Sequence, residues 1–399
     1  MKVPEIRFQE FDEEWHSDIV GLLCDFIVPG RNKPQVFDGD IPWVTTPDVT
    51  SNCVSKSKIG LAISKEEAER VGAKIVPKNS IIISCVGDLG LVTKADNDLI
   101  INQQLHAFIP RENINKWFLL YELLTRKKHM ENVATKTAVP YMNKENCNSI
   151  PIVFPAYNEQ TQIGNTFQKL DSLINQHQQK HDKLSSIKKA MLVKMFPKQG
   201  ETTPEIRFKG FSGEWEEKEL NNEVELFSGL TYSPTDIRKE GTFVIRSSNV
   251  KNGQLVQADN VYVNSEAVNC SNVKEGDVIV VVRNGSRSLI GKHAQVTSCM
   301  DNTVIGAFMT GIRSQQPEFL NSLLDTNQFT AEVEKNLGAT INQITNGAFR
   351  SMVFMFPKED EQNAIGNYFQ KLDTLIYQQQ QQITKLNNIK QACLSKMFV

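Results

Sequence analysis

The sequence predicts an α+β chain of two tandem mixed α/β domains, each followed by one long helix, with the two helices paired. Three observations predict it. The chain contains itself twice with a period of about 200 residues, and a repeat sets the architecture before any local reading does. VPEIRFQEFDEEW at 3–15 returns as TPEIRFKGFSGEW at 203–215, keeping Pro4/Pro204, Glu5/Glu205, Ile6/Ile206, Arg7/Arg207, Phe8/Phe208, Phe11/Phe211 and Trp15/Trp215. A longer block at 155–196 returns at 357–398 with 25 of 42 positions identical and no gap. The segments between, 16–154 and 216–356, resemble each other only faintly, so constant frames alternate with divergent inserts. The domains then run 1–154 and 201–356, and the helices 155–200 and 357–399.

The inserts read as short strands joined by turns. KIVPKNSIIISCVGDLG (74–90) and NVKEGDVIVVVRNGS (272–286) each give a polar turn, an apolar strand and a Gly-bearing loop. The polar segments QQLHAF and IGAFMTGI follow, then the amphipathic stretches 117–133 and 318–337, which predict helices.

Each constant block reads as one helix. Ile163, Phe167, Leu170, Ile174, His177, His181, Leu184, Lys188, Met191 and Met195 alternate spacings of 4 and 3, a heptad seam. The second copy repeats it as Ile365, Phe369, Leu372, Ile376, Gln379, Ile383, Leu386, Lys390, Cys393 and Met397. Polar residues in mid-seam cost stability but set register. A helix of this length spans about 54 Å. Glu159 and Glu361 near the starts, and lysines near the ends, suit the helix dipole. Because Arg7/Arg207 and Trp15/Trp215 recur in both frames, they are read as structural.

Composition excludes several classes. A chain of 399 residues suits two to four domains. With 40% hydrophobic residues, a mean hydropathy of −0.34 and no long apolar run, no transmembrane helix is predicted. MKVPEIRFQEF has no apolar h-region, so a cytoplasmic chain is expected. The seven cysteines are no closer than 29 residues apart, which argues against a disulfide framework or a CxxC knuckle. A net charge of −2 argues against a polycationic nucleic-acid coat. No P-loop or HExxH is present, and His177 and His181 at i and i+4 lie in the seam. No metal and no cofactor are expected.

The order of parts resembles the specificity subunit of type I restriction-modification systems along essentially the whole chain. It rests on a variable domain, a conserved helix opening with Pro155, Glu159 and Gln160, a second variable domain, and a second helix opening with Pro357, Glu361 and Gln362, together with the repeated PEIRF…EW motif. The resemblance implies two target recognition domains, each reading one half of an asymmetric, interrupted double-stranded DNA sequence. It implies that the helices form an antiparallel spacer coiled coil, its seams carrying Ile163, Phe167, Leu170, Ile174 and Leu184 on one helix and Ile365, Phe369, Leu372, Ile376, Ile383 and Leu386 on the other, whereas the spacing alone also allows two separate surface helices. It further implies docking of two DNA adenine methyltransferase subunits, recruitment of translocase/endonuclease subunits, no membrane, and no catalysis by this chain. The Asn-Pro-Pro-Tyr type motif of adenine methyltransferases is absent; VPY at 139–141 and GDLG at 87–90 are poor substitutes. The rival is a coiled-coil adaptor whose domains bind proteins or glycans, which predicts binding insensitive to DNA sequence.

Candidate DNA contacts follow from side-chain chemistry. RNGSRSLIGK (283–292) offers Arg283, Asn284, Arg287 and Lys292, since Arg pairs bidentately with guanine and Asn with adenine. IRSSNV (245–250) aligns with VTTPDV (44–49), offering Arg246, Ser247 and Asn249 against Thr45 and Thr46; capping turns explain these segments equally well. GRNK (30–33) offers Arg31, Asn32 and Lys33 to phosphate, or is a plain basic turn. Before each long helix, TKTAVPYMNK and GATINQITNG supply Lys136, Thr137 and Tyr141, and Thr340, Asn342 and Gln343; helix capping is the alternative.

Overall fold

A computed structural model describes residues 3–30, 32–337 and 342–399. Arg31 and Thr340 therefore lie outside the described residues. The chain divides into two compact units, the first ending at Gln178 and regaining Gln381–Val399, the second spanning Gln179–Gln380.

In the first unit, a five-stranded sheet runs in the order Cys24–Ile27, Leu105–Pro110, Ile81–Ser84, Val92–Ala95, Cys53–Val54. A four-stranded sheet runs Ala62–Ile63, Ile41–Val44, Leu99–Ile101, Ile75–Val76. His16–Ile19 pairs antiparallel with Pro151–Phe154, so the start of the domain closes on its end. Ile81–Ser84 is buried at every position, as its run of three isoleucines favours. The second unit repeats the plan. Glu225–Ser228, Met309–Arg313, Val278–Val281 and His293–Gln295 form one sheet; Ile237–Arg238, Val261–Val263, Thr242–Ile245 and Thr303–Ile305 form another. Glu216–Glu219 pairs with Val353–Phe356.

The long helices run Tyr157–Met195 and Glu359–Lys396. Within each unit they pack antiparallel. In the first, Asp171 meets Lys390 at 2.6 Å and Phe167 lies against Phe398, so one helix ascends in number as the other descends. In the second, Lys188 meets Asp373 at 2.5 Å and Phe196 lies against Phe369. The polar seam residues Lys188 and Lys390 are thus each answered by an aspartate of the other helix. Every seam position of both helices is buried or half-buried.

Each unit's core is completed by residues at or just past the C-terminal end of a long helix. Met397 and Phe398 join Trp15, Phe118, Ile163 and Phe167; Met195 and Phe196 join Trp215, Phe319, Ile365 and Phe369. Two glycines allow the approach. A Cβ on Gly164 would stand 2.9 Å from Cβ of Trp117, and one on Gly366 would stand 2.5 Å from the backbone nitrogen of Phe319. A side chain at either position would force the packed neighbour to shift.

The recurring polar residues form a repeated clasp. Nε and Nη2 of Arg7 donate to Glu159 at 2.8 and 2.7 Å, and the same atoms of Arg207 donate to Glu361 at 2.6 and 2.6 Å. Gln160 and Gln362 donate to the carbonyls of Pro155 and Pro357, each at 2.9 Å, bracing the first turn of each helix. Among the described residues, no helix is long and apolar enough to cross a membrane.

Candidate nucleic-acid interface

Three segments far apart in sequence converge at one edge of each unit, and they do so through the same backbone bonds. In the second unit, the backbone nitrogen of Val282 donates to the carbonyl of Phe308 (3.0 Å), that of Ile344 to Val282 (2.9 Å), and that of Gly306 to Ile245 (2.9 Å). Arg283 and Gln343 form an antiparallel bridge. In the first unit the corresponding nitrogens of Cys85, Met142 and Asn102 donate to Gln104 (2.8 Å), Cys85 (2.8 Å) and Val44 (2.9 Å), and Val86 bridges Tyr141. Position for position, Thr46, Val86, Gln104 and Tyr141 of the first unit stand where Ser247, Arg283, Phe308 and Gln343 stand in the second.

The second cluster is cationic and aromatic. The Arg283 guanidinium lies 4.9 Å from the centre of the Phe308 ring, which is 51% exposed. Asn284 donates from Nδ2 to Oγ of Ser247 at 3.1 Å, and Asn342 donates to the carbonyl of Gly285 at 3.0 Å, tying the three segments together. Arg287 is exposed on the short helical turn Arg287–Leu289, and Lys292 is exposed just after it. The first cluster presents hydroxyl and amide groups in place of the Arg283 and Phe308 pair. Thr46 donates to Oε1 of Gln104 at 3.1 Å, and a cleft of about 760 Å³ opens among Thr46, Val86, Gly87, Asp88 and Gln104. Tyr141 is 46% exposed. Thr137 donates to the carbonyl of Val139 and Lys136 is exposed beside it. Gln103 donates to the carbonyl of Gly30 at 3.4 Å, which brings the turn carrying the exposed Asn32 and Lys33 to this edge.

Some sequence candidates have internal duties. Asn249 is 1% exposed; its Oδ1 accepts from the backbone of Arg246 at 2.9 Å and its Nδ2 donates to the carbonyl of Ala258 at 2.7 Å. Its counterpart Asp48 accepts from the nitrogens of Thr45 and Lys58, each at 2.7 Å, and from the Thr45 hydroxyl at 2.8 Å. Burial pushes the Asp48 carboxyl up, but these bonds outweigh it and hold the group below its ordinary range. Asn249 and Thr45 therefore shape the turn that presents Ser247 and Thr46. Arg246 is half-buried and donates to the carbonyl of Asp259. Gln104 and Phe308 were absent from the sequence candidates; their signal was the pairing of QQLHAF with IGAFMTGI as aligned segments.

Residues 31–186 and 212–388 each match the type I restriction modification DNA specificity domain. The chain belongs to this family. The specificity subunit of the type I restriction enzyme MjaVIII from Methanocaldococcus jannaschii is 21% identical over 382 residues, covering 91% of this chain and 87% of that one. The MjaIX specificity subunit of the same organism is 22% identical over 171 residues, and this match spans only 40% of its length. The EcoR124I/EcoR124II specificity subunit of Escherichia coli is 28% identical over 178 residues, 43% of this chain and 44% of that one. The crystal structure of the type I restriction-modification S subunit from M. genitalium superposes with a TM-score of 0.67 at 15% identity, covering 100% of this chain and 99% of that one. A chain from a study of complex assembly and conformational transition in the type I system gives 0.51, also at 15% identity, with 98% of each covered. The fold is therefore that of the S subunit, with two DNA specificity domains in one chain.

Proposed function

We propose that this chain reads a bipartite, asymmetric DNA target, one half per unit, through the two corresponding clusters, and that catalysis is left to partner subunits. The observation that carries the reading is that one backbone framework presents Thr46, Val86, Gln104 and Tyr141 in one unit and Ser247, Arg283, Phe308 and Gln343 in the other. A repeated frame with different side chains is what reading two different half-sites needs, because base edges are distinguished by the donors, acceptors and apolar groups set against them. Arg31, Asn32, Lys33, Lys136, Arg287 and Lys292 would contact phosphates and position the duplex. The long helices would set the gap between half-sites and carry two methyltransferase subunits, with translocase/endonuclease subunits joining that core. The near-neutral charge supports DNA binding that depends on those partners.

The test is to express the chain with the methyltransferase subunit encoded beside it and map methylated adenines across the host genome by long-read sequencing. One interrupted motif, lost without the chain and changed in one half only when residues 216–356 are exchanged, is the expected result. An active methyltransferase that never acquires a motif from this chain would refute the reading.

A further inference from the structure

Behind the first unit's cluster, three side chains from separate elements meet in the core. Cys85 follows strand Ile81–Ser84, His106 lies on Leu105–Pro110, and Cys147 lies on the short helix Lys144–Asn148. Their ligand atoms all fall within 4.8 Å of one another, and the two sulfurs are 3.3 Å apart. Both cysteines are fully buried and His106 is 8% exposed. Nδ1 of His106 is buried with no hydrogen-bond partner, an arrangement that costs free energy unless something accepts its lone pair or proton. The ring of Phe26 stands edge-on to the imidazole at 5.1 Å.

The second unit supplies an internal control. Cys85 corresponds to Val282 and His106 to Thr310, because Gln104 and Phe308, two residues before, accept the same backbone bond. Cys147 corresponds to Phe349, each the fourth residue of its short helix. Val282, Thr310 and Phe349 are all buried, so the fold packs this position with no ligating group at all. The Cys, His, Cys set is thus an addition of the first unit rather than a requirement of the architecture.

We propose that Cys85, His106 and Cys147 together bind one thiophilic divalent cation of the zinc class. Two thiolates and one neutral imidazole carry two negative charges, so a divalent ion makes the buried site neutral, whereas a monovalent soft ion would leave a net charge in the core. Tetrahedral coordination at about 2.3 Å places two sulfurs about 3.8 Å apart, an opening of about 0.5 Å from the distance seen here. Three protein ligands leave the fourth position to water. Since Cys85 precedes Val86, His106 follows Gln104 by two residues, and Met142 donates to the carbonyl of Cys85, the ion would clip together the elements presenting the first reading cluster. Its role is structural, and it does not depend on what that cluster binds.

The full chain purified under reductant without chelator should carry about one zinc by elemental mass spectrometry, and the metal-free chain titrated with Co²⁺ should show thiolate-to-cobalt charge-transfer bands. Cys85→Val and His106→Thr, the residues used by the second unit, should lower zinc content and cobalt absorbance at least about tenfold while circular dichroism stays native. Cys299→Ser, which removes the exposed thiol, should retain both signals. Wild-type chain lacking both signals overturns the proposal. So do signals lost in Cys299→Ser but kept in Cys85→Val, and so does a Cys85–Cys147 disulfide in reduced preparations. Should Cys85→Val fail to fold, the wild-type titration and His106→Thr decide alone.

Discussion

Removing Arg207 should cost more than neutralising its partner Glu361, and the structure gives the reason. Glu361 is 1% exposed and takes two bonds from the guanidinium, whereas Arg207 also donates to the carbonyls of Gly213 at 2.6 Å and Ser212 at 3.2 Å. Arg207→Met therefore leaves a buried carboxylate without its counter-ion, a change worth about 3–5 kcal/mol. Glu361→Gln keeps an amide oxygen facing a guanidinium that retains two other acceptors, so the loss is about 1–3 kcal/mol. In Arg207→Met/Glu361→Leu no charge is stranded, and the double variant should be less destabilised than Arg207→Met alone. Hydrogen exchange resolves this locally, which matters in a chain of two units for which a single unfolding free energy is ill-defined. Because about 1.4 kcal/mol is a factor of ten, Arg207→Met should accelerate amides of Glu216–Glu219 and Val353–Phe356 by about 10² to 4 × 10³, and Glu361→Gln by about 5 to 10². Equal costs for the two single variants, or strict additivity in the double variant, would refute the argument. Arg7 and Glu159 should behave alike in the first unit.

Gly366→Ala should destabilise by about 1–2 kcal/mol, because the clash with the backbone of Phe319 outweighs the helix-propensity gain of about 1 kcal/mol. Gly347→Ala, where a Cβ meets nothing within 4 Å, should be neutral or stabilising, and hydrogen exchange in the second unit distinguishes them. Asp325 and Asp373 share Lys188 but should respond differently. Burial raises Asp325, yet the bond and charge of His293 and Lys188 outweigh it and bring the carboxyl from 3.8 to about 2; Asp373, lacking that second partner, is raised by burial. A depressed carboxylate contributes stability above its unfolded value that is lost as pH falls through the folded one, here about 2 kcal/mol lost between pH 4 and 2. Asp325→Asn should flatten acid unfolding in that window, whereas Asp373→Asn, whose carboxyl is held above its ordinary range, should leave the pH 4 to 2 window unchanged; an equal flattening in both variants would contradict the assignment. Under the proposed function, Arg283→Ala should relax one base pair in one half-site by about 1–3 kcal/mol of discrimination, leaving the other half unchanged in the methylation map. Inserting one heptad after Gln178 should alter the gap or abolish methylation without changing the half-site bases.

What could be read from the sequence was periodic, and what could not be read was convergent. The heptad seam was legible because a helix repeats its buried face every three or four residues, so Ile163 to Met195 declare themselves without reference to anything else. The same logic left Lys188 and Lys390 as anomalies, since the aspartates that answer them sit on another helix. Glu159 and Glu361 invited a dipole explanation from their positions near helix starts; their arginine partners lie 152 and 154 residues away, beyond any local pattern. The two convergent clusters show the limit most plainly. Arg283, Ser247 and Gln343 could each be nominated by chemistry, but turn-shaping residues such as Asn249 have the same chemistry and differ only in where their side chains point. Gln104 and Phe308 escaped because their place in the clusters comes from strand register, which sets them beside a loop encoded elsewhere. The Cys85, His106 and Cys147 cluster takes this to its extreme, with spacings of 21 and 41 residues that match no ligand motif. For such sites a repeat is more informative than a motif. Once one unit aligns its framework with the other, a position where Val282 becomes Cys85 and Phe349 becomes Cys147 stands out as chemistry that packing did not require.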